Sequence, residues 1–121
     1  MRAPTKITEH KQGTVVVLCV SGRLDASNSG VFEEKLLGLI AGGEHRFVID
    51  FAALDYISSA GLRVLVIAAK RLAASRGAIV LSGLEGQIEE VFAVVGFDSI
   101  FKTYRTADEA VAAFIQDPAA N

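Results

Sequence analysis

The sequence predicts an α/β domain, and two features of the chain support this fold class. Short apolar runs typical of strands alternate with segments in which apolar residues recur at helical spacing. The two prolines, Pro4 and Pro118, lie near the ends, so the interior is open to regular structure. The resulting order is close to β-β-α-β-α-β-α-β-α, which favours helices layered on a sheet with at least some parallel strand pairs.

Five strands are predicted along the chain. Thr14–Val20 is a continuous run of mainly β-branched residues closed by Ser21-Gly22, and this pattern is typical of a strand buried on both faces. The other predicted strands are shorter, and they cover Lys6–Glu9, Arg46–Phe51, Ala78–Leu81 and Ser99–Lys102.

Four helices are predicted between and after these strands. The longest, Ser59–Ala74, is apolar almost all round and is therefore expected to pack largely inside the fold. The others combine an apolar face with boundary signals: Phe32, Leu36, Leu39 and Ile40 before Gly42-Gly43; Ile88, Val91, Phe92 and Val95 between a Ser82/Glu85 capping box and Gly96; and Ala110, Val111 and Phe114 after a Thr106/Glu109 capping box.

Composition excludes several classes of function. The 121 residues, expected to form a single domain over 1–121, carry a net charge of only −2, which leaves no basic face for nucleic acid. A single Cys excludes an internal disulfide framework and a Cys-based zinc cage. The first residues lack the apolar core of a signal peptide, and no apolar run is long enough to span a membrane. We therefore expect a cytoplasmic domain that does not insert into membranes.

The usual catalytic residues are scarce. Cys19 lies inside a Val/Leu strand, where a free cysteine usually acts as a small hydrophobic residue. His10 and His45 do not converge locally with other metal ligands, and Gly83–Gly86 lacks the Lys-Ser/Thr of a nucleotide loop. The carboxylates of Asp25, Asp50 and Asp55 cannot be placed at acid/base distance from sequence alone. The sequence therefore predicts a protein that is not an enzyme and holds no cofactor or metal.

The stretch Leu54–Arg63 is the most informative part of the chain. Two serines, Ser58 and Ser59, meet the start of the long apolar helix, where free backbone N–H groups and the helix dipole favour an oxygen or an anion. In one interpretation a serine only caps the helix and Gly61 permits close packing. In the other, a hydroxyl at this position, one turn from Arg63, accepts a phosphate whose charge a docking partner would sense.

Three blocks of the sequence resemble the STAS family, the sulphate-transporter and anti-sigma-factor-antagonist domains, and within it the free-standing bacterial antagonists. These blocks are Val20–Asp25, Val48–Phe51 and Asp55–Leu65; Val91–Phe97 and the final helix also fit. The resemblance covers about residues 5–116. It implies a central mixed sheet of four to five strands with about four helices packed mainly on one side.

The resemblance also implies a switch controlled by phosphorylation. In that family, one partner is both anti-sigma factor and serine kinase, with a histidine-kinase-like fold. The unphosphorylated antagonist binds this partner and releases the sigma factor; phosphorylation at the start of the helix ends binding, and a serine phosphatase restores it. Counting back from Gly61 places the phosphate acceptor at Ser59, with Ser58 as second choice because the family often has Asp there.

Partner contacts are carried over to the neighbouring positions. The family's acidic residues facing the partner correspond to Asp25 and Asp50, and the turn itself contributes Ser58 and Gly61. Three further residues have two open interpretations: Arg63 guides a phosphate or partner, or is a solvated face, while Tyr56 and Ile57 form an apolar contact patch or are buried under the loop.

Two other functions stay open. The domain could be an unswitched scaffold subunit of a signalling or lipid-transport complex, in which both serines are only caps. It could also be an enzyme or small-ligand binder that uses the region of Asp50 and Ser59, although no His or Lys base stands near Ser59 in sequence.

Overall fold

The computed structural model describes residues 5–116, so Pro4, Pro118 and the two ends of the predicted 1–121 domain lie outside the described residues. Within that range the chain forms six strands and four helices. In chain order these are β1 Lys6–Gln12, β2 Val15–Leu24, α1 Ser29–Ala41, β3 Arg46–Asp50, β4 Leu54–Ile57, α2 Ser59–Ala74, β5 Ala78–Ser82, α3 Gly86–Val94, β6 Thr103–Tyr104 and α4 Ala107–Gln116.

The strands form one mixed sheet in the order β1-β2-β3-β5-β6. β1 pairs antiparallel with β2, and the remaining neighbours along this path are parallel. β4 lies off the path and pairs parallel with the last residues of β2. The predicted mixed α/β fold is confirmed, although six strands are present in residues 5–116 where four to five were expected.

The helices divide unequally between the two faces of the sheet. On one face, side chains of β2, β3 and β5 pack against α1, α2 and α3 in the larger core. On the other face, Val15, Val17, Val48 and Val80 pack against α4 alone. Successive strand residues point to opposite faces, so a strand buried on both faces is apolar throughout, as predicted for β2. The expectation of helices mainly on one side is confirmed.

The most important difference from prediction lies at the end of β2. The strand does not stop at Ser21-Gly22 but bulges there and continues to Leu24. Gly22 adopts φ 82°, which favours glycine, and its N–H donates to Ala53 O at 3.0 Å. The extension pairs with β4, a four-residue strand that the sequence pattern did not reveal, since its apolar residues are three apart and do not alternate.

Two smaller predictions near β5 and β6 are wrong. Ser99–Lys102 is not a strand: a 3₁₀ turn covers Phe97–Ser99, and β6 begins at Thr103. The Ser82/Glu85 capping box is also absent, because Ser82 belongs to β5 and the Glu85 side chain makes no capping bond to α3.

The other boundary signals describe their helices well. α2 spans the predicted Ser59–Ala74, and Gly96 with φ 81° follows the end of α3. At the start of α4, Glu109 N donates to Thr106 Oγ1 at 3.1 Å, as in a capping box, while the Glu109 carboxylate accepts from Arg105 N at 3.2 Å. Among residues 5–116, none of the helices is both long and apolar enough to cross a membrane.

Candidate functional site

The two predicted serines lie where β4 turns into α2, beside the end of β2. Leu24 and Ile57 are paired across β2 and β4, and Ser58 N donates to Leu24 O at 2.9 Å. α2 therefore begins at the carboxyl end of β2, held there by main-chain hydrogen bonds.

The two serines have different environments. Ser58 is the half-buried N-cap: its Oγ accepts from Gly61 N at 3.3 Å, and its carbonyl accepts the first helical bond from Leu62 N at 3.0 Å. Ser59 is exposed, and no side chain or main-chain group in residues 5–116 bonds to its hydroxyl. The backbone N–H groups of Ser59 and Ala60 lie in the first turn of α2, where no carbonyl within the helix accepts from them. The first serine thus stabilises the helix, and the second presents a hydroxyl to solvent.

Gly61 brings the first turn of α2 close to both neighbouring strands. A Cβ at this position would lie 3.0 Å from Ile57 Cγ1 and 3.0 Å from Leu24 Cδ2. Gly61 is buried, and Ile57 is only 5% exposed. Both residues therefore pack beneath the serine turn and are not part of its exposed surface.

Asp25 directly follows Leu24, so the structure places it at the same end of β2 as the serine turn. Its Oδ1 accepts from Ser27 N at 3.0 Å and from Ser27 Oγ at 2.6 Å. Its backbone carbonyl accepts from Asn28 N and Ser29 N at the start of α1. The carboxylate is thus oriented by its own loop while remaining half-exposed.

Tyr56 and Arg63 complete the surface around Ser59. Tyr56 is 40% exposed, so it is accessible to a partner, in contrast to the buried Ile57. Arg63 is exposed on α2, one turn beyond Ser59. The surface therefore contains an exposed hydroxyl, a carboxylate, an aromatic ring and a cation, contributed by the β2 end, β4 and α2.

Two residues that build this surface, Arg23 and Asn28, were not expected from the sequence. The Arg23 guanidinium lies over the Tyr56 ring, 4.2 Å from its centroid, because the two residues are paired across β2 and β4. Asn28 accepts from Asp25 N at 2.8 Å and donates to Arg23 O at 2.9 Å. Arg23 lies within a block that carried the family resemblance, but its contact depends on β4, which the pattern did not reveal.

Asp50 lies elsewhere. It pairs with Cys19 on β2, which lies five residues before Leu24. At about 3.3 Å per residue, Cys19 is roughly 16 Å from Leu24 along the strand. Its side chain faces α4, on the opposite side of the sheet from α2, in line with Val48. The structure therefore does not bring Asp50 to the serine turn.

The Asp50 carboxylate is occupied by neighbouring groups. Oδ1 accepts from the buried Ser82 hydroxyl at 3.0 Å and from Ala52 N at 3.4 Å, and Cys19 Sγ lies 3.9 Å from Oδ2. Burial and, secondarily, the Asp50 charge raise the pKa of the Cys19 thiol above its ordinary value. Within the described part of the chain, no three His, Cys, Asp or Glu side chains are grouped closely enough to hold a metal ion.

Comparisons with known proteins support the fold and the resemblance. Residues 6–110 match the STAS domain family. BtrV of Bordetella bronchiseptica, to which the role of anti-sigma factor antagonist is provisionally assigned, is 39% identical over 109 residues, covering 90% of this chain and 94% of BtrV. An anti-sigma factor antagonist from Mycobacterium paratuberculosis superposes with a TM-score of 0.84 at 24% identity, covering 93% of this chain and 97% of the other.

The antagonist SpoIIAA has a similar fold in two chemical states. Its unphosphorylated form gives a TM-score of 0.82 at 19% identity and covers 92% of this chain and 97% of SpoIIAA. The phosphorylated form, from Bacillus, gives 0.72 at 20% identity, with 91% and 98% covered. BtrV is named for antagonising another protein, in agreement with the expectation that the chain is a regulatory binding protein and not an enzyme. With the family matched over most of its length, the chain belongs to the STAS domain family.

Proposed function

We propose that this chain is an anti-sigma factor antagonist whose binding is switched by phosphorylation of Ser59. The observation that carries the proposal is the contrast between the two serines. The Ser58 hydroxyl caps α2, whereas the Ser59 hydroxyl is exposed and has no bonding partner in residues 5–116. A kinase can reach Ser59 without breaking a contact that holds the helix.

The position of Ser59 suits a phosphate within the domain. The phosphate would lie at the start of a 16-residue helix, one turn from Arg63. The backbone N–H groups of this first turn have no carbonyl acceptor within the helix. Such a site stabilises negative charge by up to about 2 kcal/mol. The domain therefore remains folded when modified, as a reversible switch requires.

The same phosphate would oppose docking. It adds about −1.5 to −2 charges at the end of β2 that carries Asp25, and it adds bulk to the surface. Like charges brought together in an interface cost several kcal/mol, and each 1.4 kcal/mol is about tenfold in affinity. Because the helix dipole acts equally in the free and bound states, it does not offset this cost. The loss of binding should exceed any gain within the domain.

The relatives support this function from a separate direction. BtrV carries the antagonist role in its name, and SpoIIAA has been solved in both unphosphorylated and phosphorylated forms. Neither observation identifies the acceptor in this chain, which we assign from the geometry of α2.

The proposed partner surface consists of Asp25, Tyr56, Ser58, Ser59 and Arg63. Ile57 and Gly61 belong to it as buried supports. We leave Asp50 out, because it faces α4 and its oxygens accept hydrogen bonds from neighbouring groups.

The proposed partners are an anti-sigma factor with serine kinase activity and a histidine-kinase-like fold, and a serine phosphatase that reverses the modification. The kinase brings ATP, metal and base, so the antagonist needs only a hydroxyl. We place this exchange in the cytoplasm.

The test uses the candidate anti-sigma factor kinases of the source organism, each purified and mixed with this chain and Mg-ATP. We expect one phosphate on Ser59 by mass spectrometry, none on Ser59→Ala, and normal incorporation in Ser58→Ala. In calorimetry, Ser59→Asp should weaken kinase binding about 100-fold, or about 2.7 kcal/mol, while Ser59→Ala stays bound in the presence of ATP.

Three outcomes would contradict the proposal. Efficient phosphorylation of Ser59→Ala would show that another residue is the acceptor. A Ser59→Asp protein that binds normally, or a chain recovered only with a transport ATPase or sensor complex, would favour the unswitched scaffold.

A further inference from the structure

A groove lies next to the serine turn, between β4 and α3. It has a volume of about 410 Å³, and its walls come from Tyr56 and Ile57 on one side and Ile88, Val91 and Val94 on the other. β4 forms one wall and leads directly into Ser58, so the groove is continuous with the surface proposed to bind the anti-sigma factor.

The groove is unusually apolar for a surface feature. Val94 is 86% exposed, Val95 is 44% exposed and Tyr56 is 40% exposed. All three line the groove, and they make up half of the six large apolar side chains that are exposed in residues 5–116. Single exposed apolar residues are common, but a cluster beside a concave surface is typical of a protein interface.

The charges of the groove have one sign. Its two charged lining residues are Asp55 and Glu90, both exposed. α3 carries Glu89 and Glu90 and no Lys or Arg, and it ends at Val94, so the negative end of its dipole lies at the apolar cluster. Arg23 lies over the Tyr56 ring but does not line the groove. A complementary segment must therefore combine apolar side chains with Lys or Arg.

The dimensions suit one short helix. α3 has nine residues and is about 14 Å long at 1.5 Å per residue, so the groove accommodates two to three turns of a partner helix. Apolar residues three or four apart on that helix lie about 5–6 Å from one another and share a face. Basic residues on either side of this face would reach Asp55 and Glu90.

We propose that this β4–α3 groove binds an amphipathic, basic helix of the anti-sigma factor, next to the contact made at Ser59. The identity of the partner rests on the proposed function, whereas the chemistry of the groove does not. Phosphorylation at the serine turn then controls whether the complex forms. The groove contributes binding affinity through contacts that the phosphate does not modify directly.

The first experiment uses the kinase that phosphorylates Ser59 and measures its affinity for three variants, each replacing an exposed valine or isoleucine. Val94→Glu lies in the groove, whereas Val31→Glu and Ile115→Glu replace residues of similar exposure, 64% and 67%, on α1 and α4. We expect Val94→Glu to weaken binding at least tenfold and the two controls to stay within twofold. Circular dichroism should show that all three remain folded, because none of the side chains is buried.

The same assay separates this inference from the proposed switch. If Ser59→Asp weakens binding and Val94→Glu behaves like its controls, the groove inference is overturned and the switch stands. If Val94→Glu weakens binding and Ser59→Asp does not, the switch fails and the groove stands. Equal losses in Val94→Glu and both controls would also overturn the inference, since that result indicates a nonspecific charge effect.

A second experiment needs no kinase. The ¹⁵N-labelled protein is titrated with a 14-residue helical peptide that has leucine at i, i+3, i+4 and i+7 and lysine elsewhere. We expect amide shifts confined to β4 and α3, lost in Val94→Glu, weakened several-fold from 50 to 300 mM salt, and absent with glutamate in place of lysine. Shifts centred elsewhere, or none at millimolar peptide, would overturn the groove inference whatever the fate of the switch.

Discussion

The ends of β2 and β3 both carry an aspartate at the same edge of the sheet, and they differ in what surrounds it. At the end of β2, where the serine turn lies, Asp25 accepts from Ser27 N and Ser27 Oγ of its own loop. At the end of β3, Asp50 accepts from the buried Ser82 hydroxyl and from Ala52 N. Both carboxylates are half-exposed, but Asp25 is bonded within the loop that follows its strand, whereas the hydrogen bonds of Asp50 join adjacent strands.

This difference shows that residue type and position along a strand do not decide which groups a carboxylate bonds. β2 extends beyond β3 through its bulge and is covered on one side only by the short β4. β3 ends between β2 and β5, where neighbours on both sides supply donors to Asp50. The central strand therefore links its acid to the adjacent strand, and the protruding strand holds its acid within the loop that follows it.

The largest effect on stability is expected at Gly83, which packs against the Asp50 network. Its φ is +73°, and a Cβ would lie 2.7 Å from both Ala52 N and Asp50 Oδ1. Gly83→Ala combines backbone strain with overlap and should cost about 3 kcal/mol of unfolding free energy in urea titration. Gly96→Ala is the control, because φ is +81° with open space around it; its cost should be nearer 1 kcal/mol. Equal costs would show that the β3 end is not tightly packed.

Asp50→Ala should separate stability from binding. Ser82 is fully buried, so its hydroxyl loses its acceptor and the protein should lose about 2 kcal/mol of unfolding free energy. Asp50→Asn, which keeps an acceptor oxygen, should lose less than half as much. Kinase affinity, measured by calorimetry below the melting temperature, should stay within twofold for both. A tenfold loss of affinity in the stable Asp50→Asn variant would return Asp50 to the partner surface.

Ser58→Ala tests whether Ser58 acts as the helix cap while Ser59 is the phosphate acceptor. Removing the cap that accepts from Gly61 N should cost about 1 kcal/mol of unfolding free energy, while phosphate incorporation at Ser59 continues. Ser58→Asp keeps a capping oxygen and should restore stability. A Ser58→Ala protein that is as stable as the wild type but no longer phosphorylated would reverse the assignment of the two hydroxyls.

The smallest effect concerns the Cys19 thiol beside Asp50. Burial and the Asp50 charge raise its pKa, so the folded protein holds the thiol proton more tightly than the unfolded chain. This contribution to stability is present below the unfolded pKa of about 8.5 and is lost as pH rises through the higher folded pKa. Iodoacetamide labelling should therefore reach half its maximal rate at a higher pH in folded protein than in urea. Asp50→Asn should lower that midpoint, and an unchanged midpoint would contradict the charge contribution.

Much of the fold follows from local patterns that the sequence carries by itself. The alternation of strand and helix, the doubly buried β2 and the bounds of α2 were all predictable, because each depends on residues close together in the chain. The missed strand β4 and the wrong Ser82/Glu85 capping box have the opposite origin. β4 is defined by pairing with residues about thirty positions earlier, and Ser82 of β5 bonds to Asp50 of the adjacent strand β3, so neither has a local signal.

The features of the candidate site also separate into those set by local sequence and those set by contacts between distant residues. The sequence by itself determined that two serines meet the start of a buried helix in a chain poor in catalytic residues, since caps and helix faces are local features. Only the tertiary structure decided that Ser58 is used as the cap, that Ser59 and Asp25 share a surface, that Asp50 faces α4 and that Tyr56 borders an acidic, apolar groove. The physical reason is register: pairing between distant strands selects which side chains meet, and neighbours in the sequence do not reveal it.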